Sequence, residues 1–125
     1  MSTLRIPMSQ SPALTAIAFQ LVAALERYQA SFDELLESWF DRSRWNAVVR
    51  QLDEIRKLRC ALPQLAVDMM ELAMRQADLL QTLWAKAKVH PGAMIAGEIA
   101  ALRSRHCAAI DGMRQKCLKL LSRDP

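Results

Sequence analysis

A chain of 125 residues is the size of one domain and can bury roughly two-thirds of the surface that its unfolded form exposes. Its apolar content of 52% excludes disorder, while a charged content of 24% and a mean hydropathy of +0.01 argue against a membrane protein. The net charge of +4, with a pI near 9.3, is a modest basic excess that does not by itself mark a nucleic-acid binder.

Three glycines and five prolines leave little turn material for hairpins, whereas Ala, Leu, Met, Gln, Arg and Glu are plentiful. The expectation is therefore an all-α fold. Residues 1–10 are polar and contain Pro7, which predicts a flexible arm ahead of one helical domain over residues 11–125. The nearest approach to a signal peptide is Arg5 followed by the run from Ala13 to Leu25, but Gln20 interrupts it. An export address of the unstructured kind is the alternative use of the arm.

Ser11 and Pro12 form an N-cap and first-turn pair. Behind them Leu14, Ala18, Leu21, Leu25, Tyr28, Phe32, Leu35 and Trp39 alternate steps of four and three, which is the seam of a long amphipathic helix reaching Phe40. Ser43 is the predicted cap of a second helix whose apolar positions are Trp45, Val48, Val49, Leu52, Ile55, Leu58 and Leu62. Pro63 ends or kinks it. The third helix carries a broad face, with Leu65, Met69, Leu72, Leu79 and Leu83 beside Met70, Ala73, Ala77, Leu80 and Trp84, as expected of a helix covered on two sides. His90-Pro91-Gly92 breaks the chain again before Ile95, Ile99, Leu102, His106, Ile110, Met113, Cys117 and Leu120. The predicted architecture is an antiparallel up-and-down four-helix bundle; the alternative is three long helices with one kinked at Pro63.

Charge is unevenly spread. Residues 1–41 hold two basic and five acidic side chains, residues 42–63 six and two, residues 64–90 three of each, and residues 91–125 six and three. Glu26, Asp33, Glu34, Glu37 and Asp41 make the first helix acidic, a stripe read as a solvated face balanced by Arg42 and Arg44. Arg50, Arg56, Lys57 and Arg59, with Arg114, Lys116, Lys119 and Arg123, are the residues that would neutralise phosphates in the alternative reading, a basic helical nucleic-acid binder. No helix-turn-helix spacing or phosphate loop accompanies them.

Chemistry is weakly represented. His106 and Cys107 are adjacent and point about 100° apart on a helix, so they cannot form a nucleophile and base pair. His106 falls on the apolar face, as a satisfied core histidine does, and Asp111 is one turn from Cys107, where a carboxylate would make the thiol less reactive. Neither histidine has an acid three residues before it, and Cys and His do not recur at zinc spacing. No catalytic residue, cofactor or metal is expected. Three cysteines, Cys60, Cys107 and Cys117, form no even disulfide framework, which fits a reducing cytoplasm.

In an up-and-down bundle Trp39, Phe40, Trp45 and Trp84 gather at one pole, near His90. They are the candidate partner-binding residues, since tryptophan anchors interfaces; the competing role is an aromatic plug. Met69, Met70 and Met74 read as core filler. These features point to a small, non-enzymatic, cytoplasmic protein-interaction module of adaptor, chaperone or regulator type, expected to form a homodimer and to bind an unidentified protein partner.

Overall fold

A computed structural model describes residues 12–38, 41–89 and 96–122. They form α1 (Pro12–Ser38), α2 (Arg42–Arg59), a 3-10 turn (Pro63–Leu65), α3 (Ala66–Val89) and α4 (Ala96–Ser122). No strand occurs among the described residues. The N-terminal arm, Trp39, Phe40, His90-Pro91-Gly92, Ile95 and Arg123 lie outside them.

The seam of α1 is buried from Ala18 through Leu21, Leu25, Tyr28 and Phe32 to Leu35, with Leu14 partly buried and Ala24 added beside it. The chain then turns at Asp41. Its extended backbone (φ −74°, ψ 115°) lets the carboxylate Oδ1 accept from the N–H groups of Ser43 and Arg44 at 2.9 and 3.2 Å. Asp41, and not Ser43, is therefore the N-cap of α2; Ser43 already has its own N–H engaged by that cap.

Pro63 breaks the next helix and does not kink it. Having no N–H, and pushing the preceding residue out of the helical region, it holds Leu62 at φ −126°, ψ 77°. The break spreads backwards. α2 ends at Arg59, and Cys60, Ala61 and Leu62 donate to carbonyls three residues earlier, a tightened exit that lands Leu62 in the core. Pro63 then opens the turn that leads into α3, where its missing N–H costs nothing. The three-helix alternative is thereby excluded.

The result is a four-helix bundle in which α1 packs against both α2 and α4, and α3 packs against α4. The fourth side, α2 against α3, makes much less contact. This overturns the expectation that α3 is covered on two flanks. Met69, Leu72, Leu79, Leu80 and Leu83 are buried, but Met70, Met74, Ala77 and Trp84 are exposed, so Met70 and Met74 are surface residues and only Met69 fills core.

The acidic stripe of α1 is balanced differently from the expectation. Asp33 meets Arg103 at 2.7 Å and Glu26 meets Arg114 at 3.8 Å, both on α4. Arg44 instead donates to the Glu34 backbone carbonyl at 3.5 Å, and Asp41 serves as a cap. Among the described residues no helix is long and apolar enough to cross a membrane.

Candidate interaction site

Helical register explains why the open side differs from the closed ones. On α3 the charged residues Asp68, Glu71 and Arg75 point toward α4, where they share a cleft with Arg105, Ala108, Ala109 and Gly112 and where Asp68 accepts from Lys116 at 2.9 Å. Turned the other way are Met70, Ala73, Ala77, Leu80 and Trp84, none of them charged, and of these Trp84 lines a recess shared with α2. Along α2 the edge facing α3 carries Arg42, Trp45, Asn46, Val49, Arg50, Leu52, Asp53 and Arg56. One lip of the opening is thus apolar and the other basic.

Two recesses follow this seam. Arg42, Trp45, Asn46 and Trp84 line a cleft of about 410 Å³ at the pole. Asn46, Val49, Arg50, Leu52, Asp53, Arg56 and Gln76 line a second of about 670 Å³. Asn46 belongs to both, so the two recesses adjoin along the groove between α2 and α3. Val49 is 45% exposed and Trp84 50%.

Two of the four predicted site residues meet here. The rings of Trp45 and Trp84 lie 6.2 Å apart, edge to face at 66°, so they clamp the two helices at the mouth of the groove. Trp45 is partly buried against the core and Trp84 is half exposed. Trp39 and Phe40 lie outside the described residues.

The floor of the groove leads to a feature that spacing alone did not mark. Gln76 is buried, and its Oε1 accepts from the Tyr28 hydroxyl at 2.8 Å. The same hydroxyl lies 2.8 Å from His106 Nε2. Since the single phenolic proton is used on Gln76, the hydrogen-bond inventory assigns the Nε2–H tautomer to His106, donating to the Tyr28 oxygen. A buried polar chain therefore runs from α4 through α1 to α3. The His106 ring also packs on Phe32, with centroids 4.3 Å apart.

Burial sets the protonation of this chain. It lowers the His106 pKa from 6.5 to about 4, outweighing the opposite pull of Asp33, and it raises the Tyr28 pKa far above its ordinary value. At neutral pH both are uncharged, as a satisfied core histidine requires. The signal in the sequence was Gln76 itself, a polar residue at the inward position between Leu72 and Leu79.

The cysteines are separated. Cys117 is buried, and burial together with Asp68 pushes its thiol up to about 11. Cys107 receives a bond from Gln29 Nε2 at 3.7 Å, whereas Asp111, which stood one turn away in register, pairs with Arg114 at 3.1 Å. Cys60 is exposed at the exit of α2. Among the described residues no three His, Cys, Asp or Glu side chains cluster as a metal site would require.

Much of the basic set is engaged by acids: Arg56 and Lys57 by Asp53, Arg114 by Glu26 and Asp111, Lys116 by Asp68. Arg42 and Arg50 are exposed and make no ion pair among the described residues. Comparison with family models, with curated proteins and with solved structures returns no match.

Proposed function

We propose that this protein is a non-enzymatic protein-interaction module, of adaptor, chaperone or regulator type, which offers the α2–α3 side of its bundle to another polypeptide. The observation that carries this reading is the open seam. Three sides of the bundle are closed by contact between helices, while the fourth leaves Val49 and Trp84 exposed in its recesses, with Met70 exposed on the same edge of α3 by helical register. Exposed apolar surface that is contiguous and edged by polar residues marks interaction sites more than scattered single residues do. Three unpaired thiols support a reducing compartment, the cytoplasm. The proposal includes self-association, which light scattering across dilution decides: a mass that stays monomeric removes the dimer.

Nucleic-acid binding draws less support, because half of the residues proposed for it already face acids in the folded protein. The test is affinity capture from native lysate, with and without nuclease, comparing the wild type with a Val49→Ser/Met70→Ser/Trp84→Ser variant. Protein partners that survive nuclease and are lost with the variant support the module. Recovery that disappears with nuclease, or that is indifferent to the three substitutions, overturns it.

A further inference from the structure

We infer that the α2–α3 groove takes an acidic amphipathic helix, lying along the seam with its apolar edge on α3 and its carboxylates on α2. The inference rests on the interaction-module reading and gives its partner a chemistry. The asymmetry of the two lips is the reason. Helical register turns Met70, Ala73, Ala77, Leu80 and Trp84, none of them charged, to this side of α3; Trp84 lines the recess at the pole, and Gln76 is the α3 side chain in the second recess. On the α2 lip stand Arg42, Arg50 and Arg56, and the single acid there, Asp53, is already held by Arg56 at 3.5 Å and Lys57 at 3.3 Å. A ligand that satisfies both lips has an apolar stripe bordered on one side by negative charge, which is the pattern of an amphipathic helix in a groove.

Dimensions agree with this occupant. From Arg42 to Arg56 the wall is roughly 21 Å long at 1.5 Å per residue, equal to about four helical turns of a partner. Arg42 and Arg50 stand roughly 12 Å apart along the axis, so acids about two turns apart on the partner meet both. The floor contains Leu52 for the apolar edge and Gln76 for a polar group. Because Tyr28 occupies the Gln76 oxygen, the Gln76 amide N–H groups are the donors left for the ligand. A flat anionic bilayer would meet the basic lip but not this recessed floor, and a duplex nucleic acid would have no use for the apolar lip.

The test uses the full chain and three fluorescein-labelled 18-residue peptides. One has leucines on one helical edge and glutamates on the neighbouring edge, the second has lysines in place of those glutamates, and the third is a scramble of the first. By fluorescence anisotropy the glutamate peptide is expected to bind at least 10-fold tighter than either other peptide, and to weaken as salt rises. Arg42→Glu/Arg50→Glu should cost it 10-fold or more and improve the lysine peptide. Lys119→Glu, a charge reversal at an exposed position of α4, should change neither, and thermal melts verify that all variants are folded. Equal binding of the acidic and basic peptides, or no effect of the double reversal, overturns the inference.

Two other occupants give distinct overturning results. A dimer that dissociates on Trp84→Ser and excludes the peptide assigns the groove to a second copy. Binding to phosphatidylserine vesicles with none to the peptide assigns it to a membrane surface. Failure here is separable from failure of the module reading: lysate capture that still depends on Val49, Met70 and Trp84 leaves the module standing and removes only the acidic helix.

Discussion

The α1–α4 seam and the α2–α3 seam lie on opposite sides of one bundle, yet only the first is closed. Between α1 and α4, Tyr28 and Phe32 pack with His106, and the rim is joined by Asp33 with Arg103 and Glu26 with Arg114. Among the described residues no ion pair crosses from α2 to α3; the acids and bases of each helix pair within it or, on α3, toward α4. Closure depends on side chains at the rim that find complements on the neighbouring helix, and the α2 and α3 edges offer each other arginines against uncharged surface.

The comparison is most easily broken at Phe32. Phe32→Ala removes a ring from the closed seam and is expected to cost about 3–5 kcal/mol in denaturant unfolding. A loss below about 1 kcal/mol would mean that this seam is not the stabilising one.

A second consequence is pH-dependent. The folded-state pKa of His106 is lowered from 6.5 to about 4, so the unfolded chain binds the proton more readily and acid favours unfolding. The stability contributed by the neutral ring is complete above about pH 6.5, declines as pH falls through that value, and has gone by about pH 4; over this window the loss is up to about 3 kcal/mol. Denaturant curves at pH 7, 5.5 and 4.5 should show the decline in the wild type and a shallower one in His106→Gln. Parallel profiles would show that His106 is not the titrating group.

Tyr28→Phe keeps the ring and deletes the hydroxyl that links His106 to Gln76. With two buried polar groups left unpaired, about 1–3 kcal/mol should be lost at neutral pH. A neutral effect would mean that the chain contributes no stability.

The smallest effect belongs to the open seam. Met70, at 64% exposure, should tolerate Met70→Ser within about 0.5 kcal/mol, leaving the melting temperature nearly unchanged while any association through the groove weakens. A large destabilisation by this substitution would place Met70 in a covered interface and close the seam after all.

Much of the fold was legible in the sequence, less of the candidate site. The seam from Ala18 to Leu35, the core position of His106 and the approach of Trp45 to Trp84 follow from helical spacing and short connections. Sequence alone does not separate Asp41 from Ser43 as the cap of α2, since both are good N-caps two residues apart and only the backbone at Asp41 decides between them. Spacing places Met70 and Met74 in the core because a wide apolar face looks the same whether or not another helix stands against it, and the structure leaves both exposed.

Residue spacing by itself determined that this chain folds as helices, which side chains share a face, and that Pro63 interrupts the helical path; the backbone at Leu62 decided that it breaks the helix. Tertiary structure alone decided which faces are covered, that Tyr28 joins Gln76 to His106, and that the α1 acids are answered from α4. The physical reason is that periodicity sets the angle of a side chain about its own axis. What stands opposite it depends on how four helices divide their neighbours around a ring, and in this protein that division leaves the α2–α3 side open.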